Sequence, residues 1–288
     1  MFSFDCSSIY NASTYPFQIG SCDGFLCFNV SRHLTVISNP STRKVKELPS
    51  LQFPPEYYAS RNMGYANYAF RYDPFIDNYK VVSVFCYEFQ YFKNLRAKAC
   101  KTEVKVHTLG KHSWRRIHNF SSTYVPRGCE SGIIVSGSVN WFAYSSVNDS
   151  CSITIVSLDL GKESYQDISQ PDYGDFVRLT MGVMRDFLCL FSYSDSFTDV
   201  WLMKIYGNKE SWIKLIRLPR LRYHDYRVSS RIVDISEDKN QVLLILIKDY
   251  RLLRWFVYDA RNDIKKIIEI QGSDWVQSKI YVESLISP

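Results

Sequence analysis

Short runs in which apolar and polar residues alternate follow one another along most of the chain, each closed by a polar turn. A period of two is the mark of a half-buried strand, and helix-period stretches are almost absent. The runs group into consecutive units. The first is predicted over Gly20 to Leu48, with strands at Phe25–Val30, Leu34–Ser38 and Val45–Leu48. The second predicts strands at Ala69–Tyr72, Lys80–Tyr87, Thr102–Thr108 and Trp114–Ile117. The third predicts them at Gly132–Val135, Ser138–Tyr144, Ser152–Asp159 and Ser164–Ile168. A fourth unit runs from Leu179 to Leu218 and a fifth from Ile232 to Ile270, and Ile280–Leu285 reads as one more strand, pairing near Phe17–Phe28. Phe89 to Lys101 is ambiguous and reads as a long loop or an extended hairpin.

The turns themselves recur. Asn39–Arg43, Asp73–Asp77, Leu109–Trp114, Asp159–Glu163, Tyr206–Trp212 and Tyr258–Asp263 each end one strand and restart on another. Gly, Pro, Asn and Asp supply the backbone angles and the local hydrogen bonds that reverse a chain. A hairpin repeated at a roughly regular interval marks a repeat architecture, and such folds offer binding surfaces rather than catalytic clefts. The aromatic residues that follow the turns, Trp114, Tyr165 and Trp212, read as core anchors, as do Trp141 and Trp201 on inner or middle strands. Trp275 falls outside the repeat and is the better candidate for an exposed contact.

Composition supports a folded all-β chain. Of 288 residues, 46% are hydrophobic and 16% aromatic, too many for a disordered chain and well suited to pleated surfaces. The net charge of +6 fits a solvated basic surface, with an acidic partner or nucleic acid as the sharper alternative. The densest basic stretch, Arg217 to Arg231, interleaves arginines with Tyr223 and Tyr226. Arginine beside tyrosine suits a protein hot spot, and no nucleic-acid-binding motif accompanies it. The eight cysteines (Cys6, Cys22, Cys27, Cys86, Cys100, Cys129, Cys151 and Cys189) include no Cys-x-x-Cys pair. With no apparent signal peptide, they read as reduced thiols of a cytoplasmic or nuclear protein. No apolar run approaches the roughly twenty residues that span a bilayer.

Catalytic patterns are wanting. There is no Gly-x-Ser-x-Gly elbow and no glycine-rich phosphate loop, and the five histidines lack metal-ligand spacing. The aspartates Asp73, Asp77, Asp159 and Asp263 sit in turns, where carboxylates cap backbone amides. No enzymatic activity, cofactor or metal is expected.

Several phrases resemble one family, the plant F-box-associated interaction domain. They are Gly20–Phe28; Ser38–Arg43 with Glu47–Pro49; Phe70–Pro74 with Asp77–Val82; Val104–Leu109 with Ser113–Arg115; Gly137–Ala143; and Val200–Gly207 with Glu210–Lys214. They stand in the family's order from about Gly20 to about Asp263. Asn140 departs from the family's usual His, and Ser192 to Thr198 lacks the expected hydrophobic run. No F-box is visible ahead of Gly20, because residues 1–19 are too short and too strand-like to form that helical module.

The resemblance implies an all-β, kelch-like β-propeller of five or six four-stranded blades. Residues 20–288 would form it, and residues 1–19 a short N-terminal segment able to act as a closing strand. It implies the substrate-recognition part of an SCF-type (Skp–cullin–F-box) ubiquitin ligase, with an unknown target protein. A Skp-type adaptor and cullin would join only if an F-box is supplied. The alternatives are a stand-alone binding module and, more remotely, a propeller enzyme. Specificity belongs on loops carried by a rigid scaffold. The stretches Tyr57–Met63, Phe89–Lys101, Asp172–Phe176 and Arg220–Arg227 are therefore the candidate contact surface. The residues chosen are Tyr57, Tyr58, Tyr91, Lys93, Tyr173, Arg222, Tyr223, Tyr226 and Trp275. No nucleic acid and no membrane is expected as a partner.

Overall fold

The computed structural model describes residues 17–31, 33–55, 64–91, 97–119, 124–127, 131–147, 150–175, 178–219, 228–236, 238, 241–248, 251–259, 264–268 and 283–288. The described residues form five antiparallel sheets, each built from strands consecutive in the chain. The first contains β1 (Phe17–Cys22), β2 (Phe25–Asn29), β3 (Thr35–Asn39) and β4 (Lys44–Glu47). The second contains β5 (Tyr65–Asp73), β6 (Asn78–Tyr91), β7 (Ala97–Thr108) and β8 (Arg115–Ile117). The third contains β9 (Tyr124–Pro126), β10 (Ile133–Val135), β11 (Ser138–Val147), β12 (Ser150–Asp159) and β13 (Ser164–Ile168). The fourth contains β14 (Arg178–Met184), β15 (Phe187–Tyr193), β16 (Phe197–Met203) and β17 (Trp212–Pro219). The fifth contains β18 (Val228–Ile235), β19 (Gln241–Lys248), β20 (Arg251–Asp259) and β21 (Ile264–Ile268). A 3-10 turn, Lys209–Ser211, leads into β17.

Two compact units divide the chain: residues 1–169 with 281–288, and residues 170–280. In the first unit the opening strands of three sheets lie side by side. A methyl group at Gly20 of β1 would sit 3.4 Å from Phe70 Cβ of β5. The Gly132 amide, just ahead of β10, donates to the Tyr68 carbonyl of β5 at 2.7 Å. Only a residue without a side chain fits at Gly132, since a Cβ would stand 2.5 Å from Val139 Cγ1 and 2.7 Å from the Trp141 indole.

Apolar residues on facing sheets fill the spaces between them. One core joins Val82, Val84 and Val104 of the second sheet to Val139, Trp141 and Leu158 of the third. Another joins Ile19, Phe25 and Ile37 of the first sheet to Phe70, Val81 and Phe85 of the second. The second unit has its own core around Cys189, Val200, Leu218 and Val242. β4 and β8, the last strands of the first two sheets, expose lysines and arginines along the sheet edge. Charge at an open edge discourages pairing with another chain.

Four expectations need correction or completion. The tail is not a strand over 283–285. It crosses the turn end of the first sheet as irregular chain, where the Asn39 side-chain amide donates to the Ser284 and Ile286 carbonyls at 2.8 and 2.6 Å. Its backbone groups are met by a side chain instead of a strand ladder, so strand pairing is not required. Trp201 is half-buried, not core. The third sheet carries an extra strand, β9, which pairs with Ala143–Ser145 of β11. At three residues β9 is too short to show a period. Finally, the six turns are not one repeated hairpin. Five join third to fourth strands, while Asp73–Asp77 joins β5 to β6, a first-to-second connection. The ambiguous stretch Phe89–Lys101 forms an extended hairpin where the structure describes it, with Gln90 opposite Ala99 and Tyr91 opposite Ala97.

Candidate functional site

An antiparallel meander sends its first-to-second and third-to-fourth turns to one end of the sheet. Its second-to-third hairpin, and the links to neighbouring sheets, go to the other. The phrases on which the family resemblance rests all carry turns of the first kind. Of the contact stretches chosen from sequence, the described part of Phe89–Lys101 belongs to a second-to-third hairpin at the other end of its sheet, and residues 172–175 follow β13; Tyr57–Met63 and Arg220–Arg227 lie outside the described residues.

At the turn end the side chains are occupied with the fold. Asp23 and Gly24 have φ of 48° and 83°, a two-residue hairpin joining β1 to β2. Ser136–Gly137 and Arg185–Asp186 repeat that backbone in the third and fourth sheets. Asn39, Asp73 and Asp159 each accept hydrogen bonds from amides two or three residues on, and each is followed four positions later by a residue with positive φ: Arg43, Asp77 and Glu163. Such Asx turns explain why these residue types occur there. Asp73 also pairs with Lys80 at 2.6 Å, both side chains less than 10% exposed. The Lys80 ammonium donates on to the Leu160 carbonyl at 3.2 Å, tying the second sheet to the third. Arg115 binds both carboxylate oxygens of Glu163 across the same gap. That bond holds the Glu163 carboxyl below its usual range. Tyr79 donates to Asp23 and Tyr72 to Asp77, and the Tyr72 and Tyr79 rings meet edge to face at 5.4 Å. Burial, with the nearby Asp23 charge, pushes the Tyr79 hydroxyl up. The Asn140 amide donates to the Ile133 and Ser138 carbonyls. The residue that departs from the family pattern therefore also does a structural job.

The opposite end projects. β5 stops pairing with β6 at Tyr65 opposite Cys86, while β6 and β7 continue as a hairpin from Tyr87 opposite Lys101 to Tyr91 opposite Ala97. Its root is anchored below: the buried Cys86 thiol is hydrogen-bonded to the Cys100 side chain, and burial raises its pKa. The Tyr65 hydroxyl donates to the Pro126 carbonyl. Of the residues chosen from sequence, Tyr91 lies on this hairpin. Tyr173 is half-buried, its hydroxyl donating to Gln170 Oε1 at 2.7 Å, and burial raises its pKa. Tyr57, Tyr58, Lys93, Arg222, Tyr223, Tyr226 and Trp275 lie outside the described residues, as does the Tyr91 side chain.

The family-model match covers residues 4–288 and is to the F-box associated beta propeller domain. The chain belongs to this F-box-associated family. Its fold is accordingly an all-β propeller. An F-box/kelch-repeat protein of Arabidopsis thaliana is 28% identical over 98% of this chain and 75% of its own length. The F-box protein CPR1 of Arabidopsis thaliana is 29% identical over 84% of this chain. The chain matches only 61% of that relative's length. Among solved structures, TolB from Acinetobacter baumannii aligns at a TM-score of 0.43 and 12% identity, covering 84% of this chain and 50% of that one. Among the described residues of this F-box-associated domain, no three His, Cys, Asp or Glu residues converge as metal ligands.

Sequence reasoning missed one feature of the domain's second unit. On the fourth sheet Phe197, Asp199 and Trp201 alternate on one face of β16. Lys214 and Arg217 of β17 reach over them. The Arg217 guanidinium binds Asp199 through Nε at 2.6 Å and Nη2 at 2.8 Å, and lies 3.7 Å from the Phe197 ring centre. Lys214 Nζ stands 2.8 Å from Asp199 Oδ2 and 4.8 Å from the Trp201 ring centre. Burial pushes the Asp199 carboxyl up, but the two cations together hold it below its usual value. Residues three apart on a regular strand face opposite ways. Lys214 and Arg217 share a face because Val200 pairs with Ile216 and Trp201 with Lys214, leaving Leu215 as a bulge. No pattern of alternation signals that extra residue.

Proposed function

We propose that this chain is the target-recognition module of an SCF-type ubiquitin ligase, without catalytic activity of its own. It acts in the cytoplasm or nucleus, and its sheets serve as the blades of a propeller of five or six. The observation that carries this reading is the division of labour between the two ends of the sheets. The family phrases occupy the turn end with ion pairs and Asx turns internal to the fold, whereas the opposite end of the second sheet offers a projecting hairpin. A rigid scaffold presenting variable loops holds a partner protein, and holding it raises the local concentration of its lysines around the ligase. The adaptor and cullin join through an F-box, as the names of the Arabidopsis relatives suggest.

Affinity capture of the tagged chain from plant extract, with quantitative mass spectrometry, tests this. The wild type is compared with a Tyr91→Ala/Lys93→Ala variant at the hairpin and with Phe75→Ser at the exposed turn end. The expected result is a target that is lost from the hairpin variant and retained by Phe75→Ser, joined by a Skp-type adaptor and cullin once an F-box is supplied ahead of the tagged chain. A hairpin-dependent target without adaptor or cullin, even with the F-box supplied, would overturn the ligase assignment in favour of a free-standing binding module. Loss of the target from neither or from both variants would overturn the assignment of the contact end.

A further inference from the structure

The fourth sheet carries two cations and one carboxylate in a single cluster. Asp199 is all but inaccessible, with a side chain 1% exposed, whereas Lys214 and Arg217 are 39% and 52% exposed. Among the described residues, one carboxylate neutralises one of the two positive charges. The second remains on a shelf open to solvent. The shelf has an apolar floor, formed by the half-buried Phe197 and Trp201 rings, and the Trp201 indole N–H is aimed inward at Ser192 Oγ at 3.3 Å. Its place in the sheet is also informative. Phe197 pairs with Pro219, the last residue of β17, so the shelf opens toward the end of the fourth sheet that carries its second-to-third turn. Arg178 stands at the same end, its guanidinium 6.0 Å from the Tyr193 ring centre, and Asp195 is the acid in the nearby turn.

Asp199 already takes Arg217 Nε and Nη2, one of the two edges with which a guanidinium grips an oxyanion bidentately, and among the described residues leaves the Nη1–Nη2 end and the remaining donors of the Lys214 ammonium unused. Two cations above aromatic rings fit carboxylates spaced along an extended peptide, with apolar side chains between them resting on the rings. We infer that the Lys214–Arg217 shelf over Phe197 and Trp201 docks an acidic, aromatic-containing segment of the partner protein. This inference rests on the recognition reading above and names the chemistry of the partner.

The probe is a fluorescein-labelled nonapeptide of three Glu-Phe-Thr repeats, with a control in which Gln replaces each Glu. Both are titrated into the full chain by fluorescence anisotropy. The Glu peptide is expected to bind at least about tenfold more tightly than its control at about 50 mM salt, and the difference to shrink at about 0.5 M. Lys214→Met, which leaves Arg217 on Asp199, should weaken the Glu peptide roughly fivefold and the control hardly at all. Lys214→Arg, which keeps the charge, should retain the affinity. Hydrogen–deuterium exchange on the wild type should slow in residues 197–219 when the Glu peptide binds, and this readout needs no variant to fold. Equal binding of the two peptides overturns the proposal. So does protection confined to another sheet, or tighter binding of a phosphoserine peptide or a single-stranded oligonucleotide. Equal peptide binding alongside hairpin-dependent capture of a target sinks the shelf alone. Peptide selectivity without any captured target sinks the recognition reading and leaves the shelf.

Discussion

Lys80 shows how much one side chain can hold. Its ammonium is buried between the Asp73 carboxylate and the Leu160 carbonyl, and Asp73 at the same time caps the Phe75 amide at 3.0 Å. A buried ion pair of this kind is weak evidence of net stabilisation. Removing one partner is a different matter, because it leaves an uncompensated charge away from water. Lys80→Met is therefore expected to destabilise the protein by about 3–5 kcal/mol in urea titrations. The double variant Lys80→Met/Asp73→Asn should recover most of that loss, since Asn keeps the cap on Phe75 and carries no charge. Equal instability of the single and double variants would mean that Lys80 matters through its packing and not through its charge.

Turns and bulges decide the register of the strands they join. Gly137 and Gly24 occupy the same position in equivalent two-residue hairpins, with φ of 76° and 83°, yet their surroundings differ. Nothing lies within 4 Å of a Cβ built on Gly137, whereas one built on Gly24 would meet Ser284 Cβ at 2.2 Å. Gly137→Ala should cost only the left-handed backbone strain, about 1–2 kcal/mol. Gly24→Ala should cost that and the displacement of the tail as well. Thermal melts of the two variants under one condition compare them, and equal losses would show that the tail yields freely. The bulge at Leu215 works on the same scale with the opposite result. It strains nothing visible, yet it turns Lys214 to the face of Arg217 and so creates the charged shelf.

At the scale of the molecule, the last residues return to the first sheet. Residues 281–288 belong to the unit of the opening strands. There Asn39 holds the Ser284 and Ile286 carbonyls while Lys44 donates to Ser287 Oγ at 2.8 Å. Bringing the ends of a long chain together costs conformational entropy that these contacts must offset. Truncation after residue 282 should therefore lower the melting temperature, by about 2–4 °C for each kcal/mol lost in a chain of this size. It should also make Gly24→Ala no more costly than Gly137→Ala, because Ser284 is gone. If Gly24→Ala is as damaging in the truncated chain as in the full one, the tail is not what that glycine accommodates.

The class of fold, the five groups of strands and the turn residues were written in local chemistry. Period-two alternation and Asx or glycine turns depend on residues a few positions apart, so the sequence alone could determine them. It could also determine the family, whose phrases are those same turns. It could not determine which end of a sheet a turn occupies, because that follows from counting every strand of the meander, including β1, and from leaving out β9, which lies off it. Nor could it show that the tail would be held by one asparagine side chain, that Trp201 would lie half-open beneath Lys214, or that Arg217 would share its face. Those outcomes depend on a single-residue bulge and on contacts between residues more than two hundred positions apart, such as Asn39 with Ser284. Register and long-range packing are settled only when every strand has found its neighbour.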